Sequence, residues 1–396
     1  MRLTSGYRNH GARARRIARL LDVAVAPLVG LPGKDVRRSS DARPLARILL
    51  IRPDHAGDLL LATPAIQSLR RAHPEAVIDV LASPWGAPAL AGNPHVDHVR
   101  TIEATWFEPG RRSGPDPAGL IGALASARLG RYDAAADLRG DFRSILIACA
   151  SGARRRAGFS RLGLERLLTD FVPFDPKLDH LARNHAVVSL LGAAPMERRR
   201  PVFTIPPSAD EAAARLLAPL PAGRPILAVF PGTNRPRASW GAARFAQACR
   251  ILWLRKPISI VIGGRDADSA AAEELAAGLR AFAPDLLDLT GRTNLAQAAA
   301  VIRRCSVVLA NDSGAAHLAV AAGTPVAAIF GPTDPATLWT WEGRERYVAL
   351  AGDSGCARPC WDERCGGDHG YSGITPAQVA ETLAQLLAVG PERRLA

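Results

Sequence analysis

Residues 306–317 read Ser-Val-Val-Leu-Ala-Asn-Asp-Ser-Gly-Ala-Ala-His, and the chain runs on through small apolar residues to Gly331. The apolar run 306–310 fits a buried strand. Asn311, Asp312 and Ser313 are turn and helix-capping types, and 314–322 is small enough to pack as a helix tightly on a sheet. Thr324 and Pro325 restart the chain, and 326–330 forms another strand ending in Gly331-Pro332-Thr333-Asp334. Such a strand–cap–helix–strand unit leaves a bare helix N-terminus at the carboxyl end of a parallel sheet. Free N–H groups and the positive end of the helix dipole make that place an anion site, typically for phosphate.

The same alternation recurs along the chain. Residues 46–51 predict a strand, 57–73 a helix and 77–81 a second strand, which is one βαβ unit. Further strands are expected at 98–102 and 134–138, with a helix near 118–129; 154–159 is basic and ambiguous. Proline-rich 196–224 reads as an interdomain connection with a short helix at 209–217. A second series follows, with strands at 226–230, 258–262, 286–289, 307–310 and 326–330, and a closing helix at 376–387. At 396 residues with 48% hydrophobic content, two α/β domains are the default. The expected organisation is a basic N-terminal extension (1–44), a first Rossmann-like domain (45–205), a linker (206–224), a second Rossmann-like domain (225–375) and a C-terminal helix and tail (376–396).

Charge narrows the partners. Of the formal +13, residues 1–47 carry +8 and the rest only +5, so basicity belongs mainly to the tail and the body is not expected to bind nucleic acid. No uncharged apolar run is long enough for a spanning helix. A signal-like stretch at 20–31 is interrupted by Asp22 and Pro27. The extension is either a leader of no consequence or a peripheral contact with an anionic membrane through residues 1–44. The expected location is cytoplasmic, on the inner face of the cell membrane in the second case.

Candidate chemistry sits at strand ends. After the first strand, Gly57 permits close backbone approach, and Asp58 in the first helical turn is suited to be a general base; ordinary capping is the alternative. The absence of Gly-x-Gly-x-x-Gly argues against a dinucleotide fingerprint there. In the second half, Gly232, Thr233, Asn234, Arg235 and Arg237 form a loop able to neutralise a diphosphate, or a solvated turn before a helix from Ser239. Asp266 suits a ribose diol or an N-cap. His317, one turn into its helix, either reaches the same place or packs. Cys149, Cys249 and Cys305 look like core residues. Cys356, Cys360, Cys365 and His369 are a weak metal candidate by spacing; a loop of reduced thiols is preferred and a disulfide stays open. Arg139, Arg143, Arg154, Arg155, Arg156 and Arg161 either greet an anionic acceptor or form a solvated face.

Taken together, Gly57-Asp58, the 232–240 loop, Asn311-Asp312-Ser313-Gly314-x-x-His317 and Gly331-Pro332-Thr333-Asp334-Pro335 resemble glycosyltransferase family 9, best known for ADP-heptose:lipopolysaccharide heptosyltransferases. The likeness covers about residues 46–390. It implies a GT-B fold, two doubly wound Rossmann-like domains facing a central cleft, and an inverting, metal-independent transfer with no cofactor. The donor implied is an ADP-sugar held mainly by the C-terminal half; the acceptor is a glycan or glycolipid. By position, Asp58 matches the family's proposed base, Thr233 and Asn234 match phosphate-holding positions, and Asp312, Ser313, Gly314 and His317 match sugar and diphosphate contacts. Asp266 approximates an acidic residue near the ribose. Many members carry a lysine two residues before the loop tryptophan, where this chain has Ala238; Arg235 and Arg237 remain as the cations of the loop. A nucleotide-sugar epimerase or hydrolase and a non-catalytic nucleotide-sugar-binding module are the alternatives.

Overall fold

The computed structural model describes residues 36–103, 116–160, 165–353, 355, 358–360 and 365–390. The chain divides into two compact units, Met1–Arg199 and Arg200–Ala396. Each is built on one six-stranded, all-parallel sheet with helices between the strands.

In the first unit the strands are β1 (Arg47–Arg52), β2 (Val77–Ala82), β3 (His98–Thr101), β4 (Ala134–Asp137), β5 (Arg155–Ser160) and β6 (Asp170–Pro173), in the order β3-β2-β1-β4-β5-β6. Its helices are α1 (Ala56–Ala72), α2 (Pro117–Leu129), α3 (Phe142–Ala150) and α4 (His180–Ser189). Strands β1 and β4 are apolar and buried almost throughout, as expected of parallel strands covered on both faces. The ambiguous basic stretch is β5: Arg155 is neutralised by Asp170 at 2.6 Å, and Arg156 donates to the carbonyls of Leu167 and Ala153. Part of the basic extension is also fixed, since Arg37 bridges antiparallel to Phe171 and Asp41 pairs with Arg154 at 2.6 Å. Residues 1–35 and Arg161 lie outside the described residues.

The second unit contains α5 (Pro207–Leu217), β7 (Ile226–Phe230), α6 (Ala242–Arg255), β8 (Ser259–Ile262), α7 (Ser269–Leu279), β9 (Leu286–Asp288), α8 (Leu295–Arg304), β10 (Val307–Asn311), α9 (Gly314–Ala322), β11 (Val326–Phe330), α10 (Pro335–Leu338), β12 (Tyr347–Ala351) and α11 (Pro376–Val389). The sheet order is β12-β11-β10-β7-β8-β9. The segment 206–224 lies inside this unit, where Asp210 of α5 is held by Arg303 and Arg304 of α8. The core joins Leu227, Val229, Trp240, Phe245, Leu309 and Ile329 to Val379 and Leu383 of α11.

Strand order reverses once in each sheet, at β1/β4 and at β7/β10. In open parallel sheets, ligands settle outside the carboxyl ends of the strands at such a switch point. No helix among the described residues is long and apolar enough to cross a membrane.

Candidate active site

At the β7/β10 switch, register sets the arrangement. Ala310 pairs with Phe230 and Asn311 with Ile329, so Asn311 closes β10 beside the start of the loop after β7. Its fully buried amide accepts from the Trp240 backbone N–H at 3.0 Å and donates to the Pro231 carbonyl at 2.7 Å. The residue expected as a turn former is therefore the last residue of the strand and the anchor of the 231–241 loop.

Ser313 is the N-cap of α9 in extended conformation, and it makes no side-chain capping bond. The first turn thus begins without the hydroxyl cap that usually satisfies an N-terminal amide. Asp312 lies just before it and accepts a bond from the Thr333 hydroxyl at 2.6 Å. His317 is 5% exposed, packed against the rings of Trp339 and Trp341 at 5.3 and 5.7 Å. Its Nε2 lies 3.9 Å from Asp312. His317 therefore faces Asp312 from inside the fold.

Tyr371 completes this edge. Its ring occupies the space a side chain at residue 331 would need, with a Cβ there falling 2.1 Å from the ring; that is why Gly331 follows β11. Burial, reinforced by the Asp312 carboxylate, pushes the phenol well above its ordinary value, while Arg235 and Arg358 oppose the shift. Arg235 and Asp312 are thus both electrostatic neighbours of Tyr371. In the same loop Thr233 accepts from the Arg235 N–H at 3.3 Å. Asn234 and Arg237 are exposed, and Ala238 is enclosed.

Two expectations for the loops after β7 and β8 need correction. Asp266 is exposed and lies within the short 3-10 turn after β8, against Gly291, so it is not an N-cap. Asp268 stands at the cap position of α7, and its carboxylate accepts from the Arg265 N–H at 2.9 Å. That carboxylate also fills the space beside Gly232, so the glycine is required by close approach within the protein. The helix after the loop starts at Ala242, with Gly241 at φ 98° as its cap, and not at Ser239.

The β1/β4 switch of the first unit is crowded with charge. Ile51 pairs with Asp137, which sets Arg52 beside Leu138, and Arg52 donates to the Leu138 carbonyl. Gly57 and Asp58 occupy the first turn of α1. Arg52 is buried and pairs with Asp54 at 2.9 Å and Asp58 at 3.5 Å. Arg139 joins Asp54 to Asp141. Asp137 is fully buried; one oxygen accepts from the Arg139 and Gly140 amides, while the other has no hydrogen-bond partner among the described residues. Burial, with Asp141 adding to it, pushes this carboxyl up to about 7. Burial also pushes the Arg52 guanidinium down, against the pull of Asp58, Asp137 and Asp141. Spacing alone does not reveal the Arg52–Leu138 and Arg139–Asp54 contacts or Asn311 as an anchor, because these partners lie far along the chain.

Cys249 and Cys305 are buried, whereas Cys149 is exposed, so it is not a core residue. Cys360, Cys365 and His369 are brought together, and both cysteines are free thiols; Cys356 lies outside the described residues.

Comparison with known proteins identifies the family and the fold. The model of glycosyltransferase family 9 (heptosyltransferase) matches residues 123–365. Lipooligosaccharide heptosyltransferase 2 of Haemophilus ducreyi is 27% identical over 360 residues, covering 86% of this chain and 99% of that one. Lipopolysaccharide heptosyltransferase 2 of Escherichia coli K12 is 27% identical over 354 residues, covering 86% and 98%. Among solved structures, a family 9 glycosyl transferase from Veillonella parvula superposes with a TM-score of 0.71 at 21% identity, covering 87% of this chain and 97% of that one. The E. coli ADP-heptose LPS heptosyltransferase II gives 0.66 at 24% identity, covering 87% and 99%. The chain belongs to glycosyltransferase family 9, the heptosyltransferase family, with the paired Rossmann-like units of the GT-B fold.

Proposed function

We propose that this protein moves a heptose or related sugar from an ADP-activated donor to a lipopolysaccharide-core-like or other cell-surface glycan, with inversion and without a metal at the reacting atoms. The single observation that carries this reading is the start of α9 at the β7/β10 switch, where the N-cap side chain leaves the first-turn amides uncapped. Those amides and Arg235 suit a diphosphate, whose negative charge grows as the bond from the anomeric carbon to phosphate breaks. Asp312, braced by Thr333 and faced by His317, suits the donor sugar. Thr233, Asn234, Arg237, Ser313 and Gly314 line the same strand ends, and Asp266 is offered to the ribose. The names of the relatives support heptose as the sugar, and the likeness to the E. coli ADP-heptose LPS heptosyltransferase II supports ADP as its carrier.

In the first unit, Asp58 takes the proton from the acceptor hydroxyl. The acceptor oxygen bonds to the anomeric carbon, and the bonding pair to phosphate leaves with ADP. Attack from the face opposite the leaving group inverts the configuration. Arg52 orients the Asp58 carboxylate through their ion pair. The basic residues 1–44 serve a peripheral contact with the inner face of an anionic membrane, where a glycolipid acceptor would lie.

The test is incubation with a panel of nucleotide sugars, with and without lipopolysaccharide-core acceptors, following the nucleotide released. ADP release from ADP-heptose that depends on acceptor supports transfer. Release without acceptor indicates a hydrolase, and an intact donor under all conditions indicates a binding module.

A further inference from the structure

The stretch 352–375 links β12 to α11 with only one short 3-10 turn, Tyr371–Gly373, among the described residues. Connections longer than roughly 12–15 residues without regular structure are uncommon and need some other support. Part of that support is visible. The Arg358 guanidinium donates to the carbonyls of Gly331, Gly352 and His369 at 2.8, 2.7 and 3.0 Å, and the Cys360 N–H donates to the Pro332 carbonyl at 2.7 Å. The stretch is therefore pinned onto the loop after β11.

Within it, the ligand atoms of Cys360, Cys365 and His369 all lie within 4.8 Å of one another. Around a tetrahedral zinc ion, bond lengths of about 2.0–2.3 Å put sulfur and nitrogen ligands about 3.3–3.8 Å apart. The widest pair therefore needs to close by only about 1 Å. His369 is 3% exposed, and its Nδ1 is buried with no hydrogen-bond partner among the described residues. A buried ring nitrogen ordinarily has one. The Gly367 N–H points to the Cys365 sulfur at 3.4 Å and helps fix its position. Two thiols and an imidazole select a borderline-soft cation and suit neither magnesium nor calcium.

We infer that Cys360, Cys365 and His369 bind a zinc-type divalent cation that fixes the 352–375 stretch against the loop after β11. Binding replaces two thiol protons by the metal and leaves the fourth tetrahedral position for one further donor. The ion is structural. It takes no part in the transfer proposed above, and the inference stands whether or not that reaction is the right one.

The full chain, stripped of metal under reducing conditions, is titrated with zinc alone and separately with cobalt(II). The expected result is one zinc retained per chain against a competing chelator, with a cobalt form that shows thiolate-to-metal charge-transfer absorption. Both are lost in the Cys360→Ser/Cys365→Ser variant and kept in His369→Cys. Should the double variant fail to fold, the wild-type chain decides: zinc, but not magnesium, should slow alkylation of Cys360 and Cys365 and leave that of exposed Cys149 unchanged. Equal alkylation with and without zinc, zinc retention by the folded double variant, or a cobalt form without the thiolate band would each overturn the site.

Discussion

The two sheets place polar residues at equivalent switch points, yet they stabilise them differently. At β1/β4, five ionised or ionisable side chains besides Asp58 crowd one strand edge: Arg52, Asp54, Asp137, Arg139 and Asp141. Ion pairs join Arg52, Asp54, Arg139 and Asp141, and the buried Asp137 carboxyl is shifted up to about 7. At β7/β10 the supports are mostly neutral: the Asn311 amide, the Thr333 hydroxyl, the Tyr371 ring and the uncapped start of α9. Topology fixes where function gathers; the residue types at each edge fix its chemistry. A charged network suits proton transfer. Backbone dipoles, which need no counter-ion, suit an incoming anion.

Substitutions should separate the two edges. The largest loss of stability is expected from Asn311→Ala, which strands the Trp240 N–H and the Pro231 carbonyl in the core. Each lost partner costs about 1–3 kcal/mol, so denaturant unfolding should show a loss of roughly 3 kcal/mol that does not vary with pH. A loss that followed pH would mean the neutral edge depends on charge after all.

Asp137→Asn tests the charged edge. In the folded protein Asp137 keeps its proton up to about pH 7, whereas the unfolded chain releases it near 3.8. Wild-type stability from this group is therefore lost as pH rises through that window. Asparagine keeps the acceptor for Arg139 and Gly140 but cannot titrate. The variant should gain on the wild type between pH 4 and 7, reaching on the order of 4 kcal/mol. Chemical unfolding at pH 5 and pH 8 checks this; a difference that is the same at both would contradict it.

Gly314→Pro probes the dipole edge more gently. Proline is tolerated at the first helical position, and Ser313 before it is already extended. The change deletes one amide of the proposed diphosphate site without removing the helix. ADP affinity, measured calorimetrically, should fall about tenfold, corresponding to roughly 1.4 kcal/mol, with little change in melting temperature. Unaltered affinity would remove α9 from the donor site.

Most of the fold is legible in the sequence because buried parallel strands are short apolar runs, as 226–230 and 326–330 show. The edges are less so: β6 contains Asp170 and ends in Pro173, so it lacks a continuous apolar signature, whereas edge strand β12 is an apolar Tyr-Val-Ala-Leu-Ala run that is legible in principle. The Ser313–Gly314 helix start is readable because capping chemistry is local. The roles of Asn311 and Tyr371 are not, since their partners sit 71 and about 40 positions away in the chain, and neither is the Arg52 contact with Leu138 across 86 positions. Capping types also mislead at Asp266, where spacing cannot distinguish it from Asp268, two residues on.

The most direct test of the division of labour is Asp58→Ala, assayed for heptosyl transfer from ADP-heptose and, separately, for ADP binding. Loss of the base should slow transfer by roughly 10²–10⁴-fold while ADP binds as tightly as to the wild type. Transfer at the wild-type rate, or ADP affinity lost together with transfer, would contradict the assignment of proton removal to the first unit and donor binding to the second.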